Sequence, residues 1–113
     1  MRKIIFSFLF LLSFLTVLSA QETPSITIVN NTGFTIFFVY ISPTGYDTWG
    51  PDRLADDQIL SNGQSVSVQL PHQLNVVNRY NIMLEDSDGD TYTKINVLVS
   101  ANSRIVFTFD DID

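Results

Sequence analysis

The chain has 113 residues, 12 acidic against six basic, and a formal net charge of −6. That balance argues against nucleic acid and anionic lipid as partners, since both are themselves negative. It contains no cysteine, which excludes thiol catalysis, Cys-ligated metal and the disulfides on which many small exported domains depend.

Met1-Arg2-Lys3 sets two positive charges before an apolar run from Ile4 to Leu18, and Ser19-Ala20 supplies small residues after it. This is the pattern of a secretory signal peptide over residues 1–20. A membrane span needs about 20 apolar residues, so cleavage is expected rather than an anchor, with no span left in the processed protein. Cutting after Ala20 (Ser19 is the alternative) leaves residues 21–113 as one domain. It removes two of the six basic residues and none of the 12 acidic ones, which moves the net charge from −6 to −8. The expected location is periplasmic or secreted.

Residues 25–29 alternate, with Ile26 and Ile28 on one face, and read as a strand. Asn30-Asn31-Thr32-Gly33 reads as a tight turn into residues 34–41, so these two strands are expected to form a hairpin. Residues 34–41 are aromatic or β-branched throughout. A run of that kind suits a central strand covered on both faces, with Phe38 in the core. The long loop 43–58 holds the chain's single tryptophan, and Pro51 suits the first position of one helical turn near 51–56. Residues 65–70 alternate with Val66, Val68 and Leu70 inward, and residues 78–84 with Tyr80, Ile82 and Leu84 inward. An acidic hairpin turn over 85–90 leads to a strand at 91–99. Residues 104–109 close the chain with Ile105, Phe107 and Phe109 inward. Short strands spaced by turns, without helical periodicity, predict an all-β fold: a small antiparallel β-sandwich of about six to eight strands.

Three segments carry a resemblance: Val29-Asn30-Asn31-Thr32-Gly33-Phe34-Thr35-Ile36, Tyr40-Ile41-Ser42-Pro43 and Asp47-Thr48-Trp49-Gly50-Pro51-Asp52-Arg53-Leu54. With Asp88-Gly89-Asp90-Thr91-Tyr92-Thr93-Lys94, they make the chain resemble a family of small exported bacterial domains of unknown function. The resemblance implies a β-sandwich and export, and implies no activity.

The acidic residues cluster. Asp86, Asp88 and Asp90 alternate about Gly89, and alternate carboxylates in a Gly-bent loop are a frequent way to hold Ca²⁺. The segment is not an EF-hand loop, since its Gly comes one position early and no bidentate Glu follows. A solvated hairpin turn accounts for the same residues, so both readings stand. Tyr46 and Trp49, with Asp52 beside them, form a candidate recognition surface for a protein or glycan partner. The competing role for Trp49 is to cover the open end of the core. His72 is the chain's one histidine and has no evident partner for a triad or zinc site, so an exposed loop position is expected. No catalytic residue is assigned. The expected function is a non-enzymatic binding or interaction module, with Ca²⁺ as the candidate cofactor. The alternative is a small hydrolase that uses loop carboxylates, which would have to converge in a concave pocket.

Overall fold

The computed structural model describes residues 22–113; the signal-peptide and cleavage expectations lie outside the described residues. Six strands follow in order: β1 (Ser25–Asn31), β2 (Ile36–Pro43), β3 (Ser65–Gln69), β4 (Arg79–Asp86), β5 (Thr91–Leu98) and β6 (Arg104–Thr108). A 3-10 turn, Phe109–Asp111, comes last. They form two three-stranded sheets, β3-β1-β6 and β2-β4-β5. The fold is the expected all-β class. Among the described residues no helix is long and apolar enough to cross a membrane.

The two sheets meet through the apolar faces that the alternation marked. Tyr80, Ile82 and Leu84 of β4 are all fully buried. They pack in one cluster with Ile26 and Ile28 of β1, Val39 and Ile41 of β2, Tyr92 of β5 and Phe107 of β6. Val68 and Leu70 join this cluster, and Val66 and Ile105 pack against it half-buried. Burying such side chains contributes about 1.5–3 kcal/mol each, which is the main stabilising term in a domain without disulfides.

The expected β1–β2 hairpin does not form. β1 pairs antiparallel with β3 and parallel with β6, and β2 pairs antiparallel with β4 in the other sheet. The sandwich is therefore mixed rather than wholly antiparallel. The reason is the buried side chain of Asn30. Its Nδ2 donates to the carbonyls of Phe34 (2.7 Å) and Leu60 (2.9 Å). Its Oδ1 accepts from the backbone N–H of Thr32 (3.1 Å) and from the Thr32 hydroxyl (2.7 Å). The amide thereby ties β1, the following bend and the distant Leu60 together, and the chain crosses to the second sheet instead of folding back.

β2 is an edge strand, not a central one. A register shift between Ile36 and Phe38 in its pairing with β4 turns its aromatic residues outward. Phe38 is 37% exposed and Phe37 41%, so Phe38 is not core. Phe38 stacks on Tyr40 along the outer face, with ring centroids 6.2 Å apart.

The 43–58 loop covers the edge of β2 rather than its face. The Val39 N–H donates to Asp52 Oδ1 at 2.9 Å, and the Arg53 N–H donates to the Val39 carbonyl at 2.7 Å. Ile36 and Leu60 exchange two 2.9 Å backbone bonds further along. An open edge invites pairing with other chains, and this loop closes it. No helical turn forms near 51–56; the segment bends and closes a turn from Ala55 to Gln58. Phe109, expected to point inward, sits in the 3-10 turn at 51% exposure, with its ring 6.0 Å from that of Phe34.

Candidate functional site

The acidic turn joins β4 to β5 as a hairpin. Asp86 ends β4 on its inward-facing side and is buried. Its Oδ1 accepts the backbone N–H groups of Asp88 (2.9 Å) and Asp90 (3.0 Å). Its Oδ2 accepts the Tyr92 hydroxyl at 2.9 Å. Burial, then the hydrogen bond to Asp86, pushes the Tyr92 hydroxyl up to about 12. Tyr92 therefore stays protonated and donating at neutral pH. Gly89, at a φ of +85°, supplies the bend that aims two consecutive stretches of backbone at one carboxylate.

Asp86, Asp88 and Asp90 each offer a carboxylate oxygen, and these lie within 4.8 Å of one another. Oxygens on opposite sides of a Ca²⁺ at about 2.4 Å stand about that far apart, so the group can hold a metal ion. An ionised carboxylate has about four acceptor positions. Asp86 uses three of them within the fold, so exposed Asp88 and Asp90 carry most of the capacity for an ion.

The second feature is a cleft of about 250 Å³ at one end of the sandwich. The end of β2 supplies Ile41, Ser42 and Pro43. The loop supplies Tyr46, Thr48, Trp49, Gly50 and Arg53, and the β3–β4 connection supplies Pro71 and His72. The loop is held against the sheet by backbone bonds from Thr44 to Arg79 (3.0 Å) and from Tyr46 to Pro43 (3.2 Å). Gly50, between Trp49 and Pro51, has a φ of +74°, a conformation that glycine adopts without strain. Tyr46 is 59% exposed, and Trp49 is half-buried.

Tyr46 and Trp49 thus meet at one cleft, whereas Asp52 does not line it. The Asp52 carboxylate turns inward and accepts the N–H groups of Val39 (2.9 Å) and Leu54 (3.0 Å). Its role is to fasten the loop to β2. His72, expected on an exposed loop, is half-buried in the cleft wall.

Two residues that sequence reasoning passed over stand beside them. Arg53 lines the cleft, and its Nη2 donates to the Ile41 carbonyl at 3.3 Å. Its Nε is buried without a partner. The Tyr80 hydroxyl is likewise buried; it lies close to the His72 backbone but completes no hydrogen bond. Burial raises the Tyr80 hydroxyl above its ordinary range, against the opposing pull of the His72 backbone and Arg53. In sequence Arg53 is one basic residue of the long loop, with no mark of a role. No sequence signal brings Tyr80 to it from across the chain.

Fold and cleft together define a small two-sheet all-β domain with a polar-aromatic cleft at one end. No family model matches the chain, and no curated protein matches it. Among solved structures it is similar to an NMR structure of a protein from Eubacterium rectale, at a TM-score of 0.56 and 17% identity, over 78% of this chain and 79% of that one. At that identity the likeness shows the fold alone.

Proposed function

We propose that the protein is an exported, non-catalytic binding module that takes part of a protein or glycan partner into the Tyr46–Trp49 cleft. The observation that carries this reading is the convergence there of two amphipathic aromatic side chains with Arg53 and His72. Aromatic and Arg side chains dominate recognition surfaces, because they bury area while keeping a polar contact. Export rests on the charged start and apolar run of residues 1–20, together with the resemblance to exported bacterial domains.

The hydrolase alternative needs a pair of carboxylates in a concave site. Neither this cleft nor the neighbouring one under Val76 and Arg79 has an Asp or Glu among its lining residues. The acids lie instead in the 43–58 loop, at the end of β4 and the turn after it, and at the two ends of the described residues, which favours the binding reading. The test uses Trp49, the chain's single tryptophan. Titration with short peptides and with oligosaccharides is expected to give a saturable change in its emission with one of the two classes, weakened in Tyr46→Ala. Emission unmoved by both classes, in folded protein, contradicts the reading.

A second reading has its own support in the spacing of Asp86, Asp88 and Asp90. The turn binds a hard divalent cation, Ca²⁺, which stabilises the fold rather than taking part in recognition. An ion that binds the folded state adds about 2.7 kcal/mol at a hundredfold excess over Kd. Extracellular modules bind Ca²⁺ at about 10⁻⁴–10⁻³ M, so millimolar Ca²⁺ is the appropriate range. Thermal unfolding is expected to shift upward by several degrees with Ca²⁺ relative to EDTA. The shift should exceed that from NaCl of equal ionic strength, and Asp88→Asn should reduce it. A rise that NaCl reproduces in full reduces the turn to a structural hairpin.

A further inference from the structure

We infer that the cleft takes a carboxylate with an adjoining apolar group, the chemistry of a peptide's C-terminal residue, with the carboxylate against Arg53. This rests on the cleft being the binding site. Arg53 is a half-buried guanidinium with no acidic partner: among the described residues the one ion pair joins Lys94 to Asp111. Neighbouring Asp52 forms no ion pair with it, and the hydrogen bonds of that carboxylate go to backbone N–H groups. A cation drawn partly out of water without a counter-charge favours any ligand that brings one.

The unmet hydrogen-bonding capacity points the same way. Arg53 Nε, on a residue that lines the cleft, is buried and unpartnered and can donate to an acceptor oxygen; the Tyr80 hydroxyl is buried and unpartnered as well, but Tyr80 is not among the residues that line the cleft. Buried donors without partners are rare enough in folded proteins to call for a ligand or an ordered water. The guanidinium's one hydrogen bond, to the Ile41 carbonyl, is long at 3.3 Å. Little is lost when the side chain turns its Nε edge toward the cleft, and a carboxylate accepts from a guanidinium through two parallel bonds.

Ile41, Pro43, Pro71 and the Trp49 ring form the apolar part of the wall, beside the polar Ser42, Thr48, Tyr46 and His72, and they offer contact area to an apolar group that adjoins the carboxylate. A cleft of about 250 Å³ is smaller than the usual drug-sized pocket of about 300–1,000 Å³, and so admits about one residue. The chain's net charge of −6 repels free anions at long range. Selection therefore depends on the local pairing combined with the apolar contact.

The experiment compares N-acetyl-L-phenylalanine, its carboxamide and D-glucuronate on the purified protein, read by Trp49 emission and by chemical-shift changes at Tyr46, Trp49 and His72. The free acid is expected to bind about tenfold or more tightly than the carboxamide, the ratio for hydrogen bonds that involve charge on both sides. Added NaCl should weaken the acid and leave the carboxamide unchanged. Arg53→Gln should bring the acid down to the carboxamide's affinity. Equal binding of acid and carboxamide at the cleft overturns the carboxylate assignment and leaves the cleft as a binding site. Glucuronate binding as tightly as the acid overturns the peptide class, and no response of the cleft to the acid overturns the inference as a whole. The acid–carboxamide comparison and its salt dependence use the parent protein, so they decide the matter even where Arg53→Gln fails to fold.

Discussion

Replacing Asn30 with alanine is expected to destabilise the domain by about 3 kcal/mol, the loss of four hydrogen bonds at roughly 1 kcal/mol each, offset by partners that keep a second bond. The Leu60 carbonyl, for example, still accepts the Ile36 N–H. The Thr32 N–H has no such substitute, and the removed amide leaves a small void beneath the crossing between sheets. Asn30→Asp should cost at least as much at neutral pH. A carboxylate oxygen would then face the Phe34 and Leu60 carbonyls, which now stand 2.7 and 2.9 Å from an amide donor. Urea unfolding measures both: the midpoint should fall with an unchanged slope. A loss under about 1 kcal/mol for Asn30→Ala would mean that the crossing is held by something other than this amide.

The second large effect separates the two faces of the sandwich. Phe107 is fully buried on β6, opposite Asn30 in the parallel pairing with β1. The ammonium of Lys94, itself 3.0 Å from Asp111, lies 5.4 Å from the centre of its ring. Phe107→Ala is expected to cost about 3–5 kcal/mol, the range for truncating a buried aromatic. Phe38→Ala should cost less than about 1 kcal/mol, because its ring lies on the outer face of the β2 sheet. The two substitutions remove the same atoms from two strands, so their difference reports burial alone. Similar losses at both positions would contradict the placement of β2 at an edge with its aromatics outward.

These contrasts mark how far the chain could be read before its fold was known. The alternation of β4 was legible because one face of that strand is core and the other is not, so Tyr80, Ile82 and Leu84 had to fall inward together. The run from Phe34 to Ile41 misled for a physical reason. Aromatic content reports a β surface, but a bulge redirects side chains, and the bulge at Ile36–Phe38 leaves no mark in composition. Asn30-Asn31-Thr32-Gly33 has turn chemistry, but its hydrogen bonds to the distant Leu60, Asn62, Gly63 and Gln64, which accompany the crossing between sheets, leave no local mark in the sequence.

At the cleft, Tyr46 and Trp49 stood out by residue type and loop position. Arg53 and Tyr80 did not, because their significance lies in what they fail to bond once β4 is placed behind the loop. The acidic turn was legible as a cluster. Its inward anchor was not, since the Tyr92 hydroxyl that holds Asp86 belongs to the opposite strand of the hairpin.

The central claim is that recognition takes place at the Tyr46–Trp49 cleft. Its most direct test is a fragment screen by two-dimensional NMR on the labelled protein, with small acids, amides, sugars and aromatic compounds. Backbone signals of Ser42, Tyr46, Trp49, Arg53 and His72 are expected to move together, in a saturable way, for the fragments that bind. Fragments that gather instead on the outer face around Phe38, Tyr40 and Met83, and leave the cleft signals in place, would contradict the account.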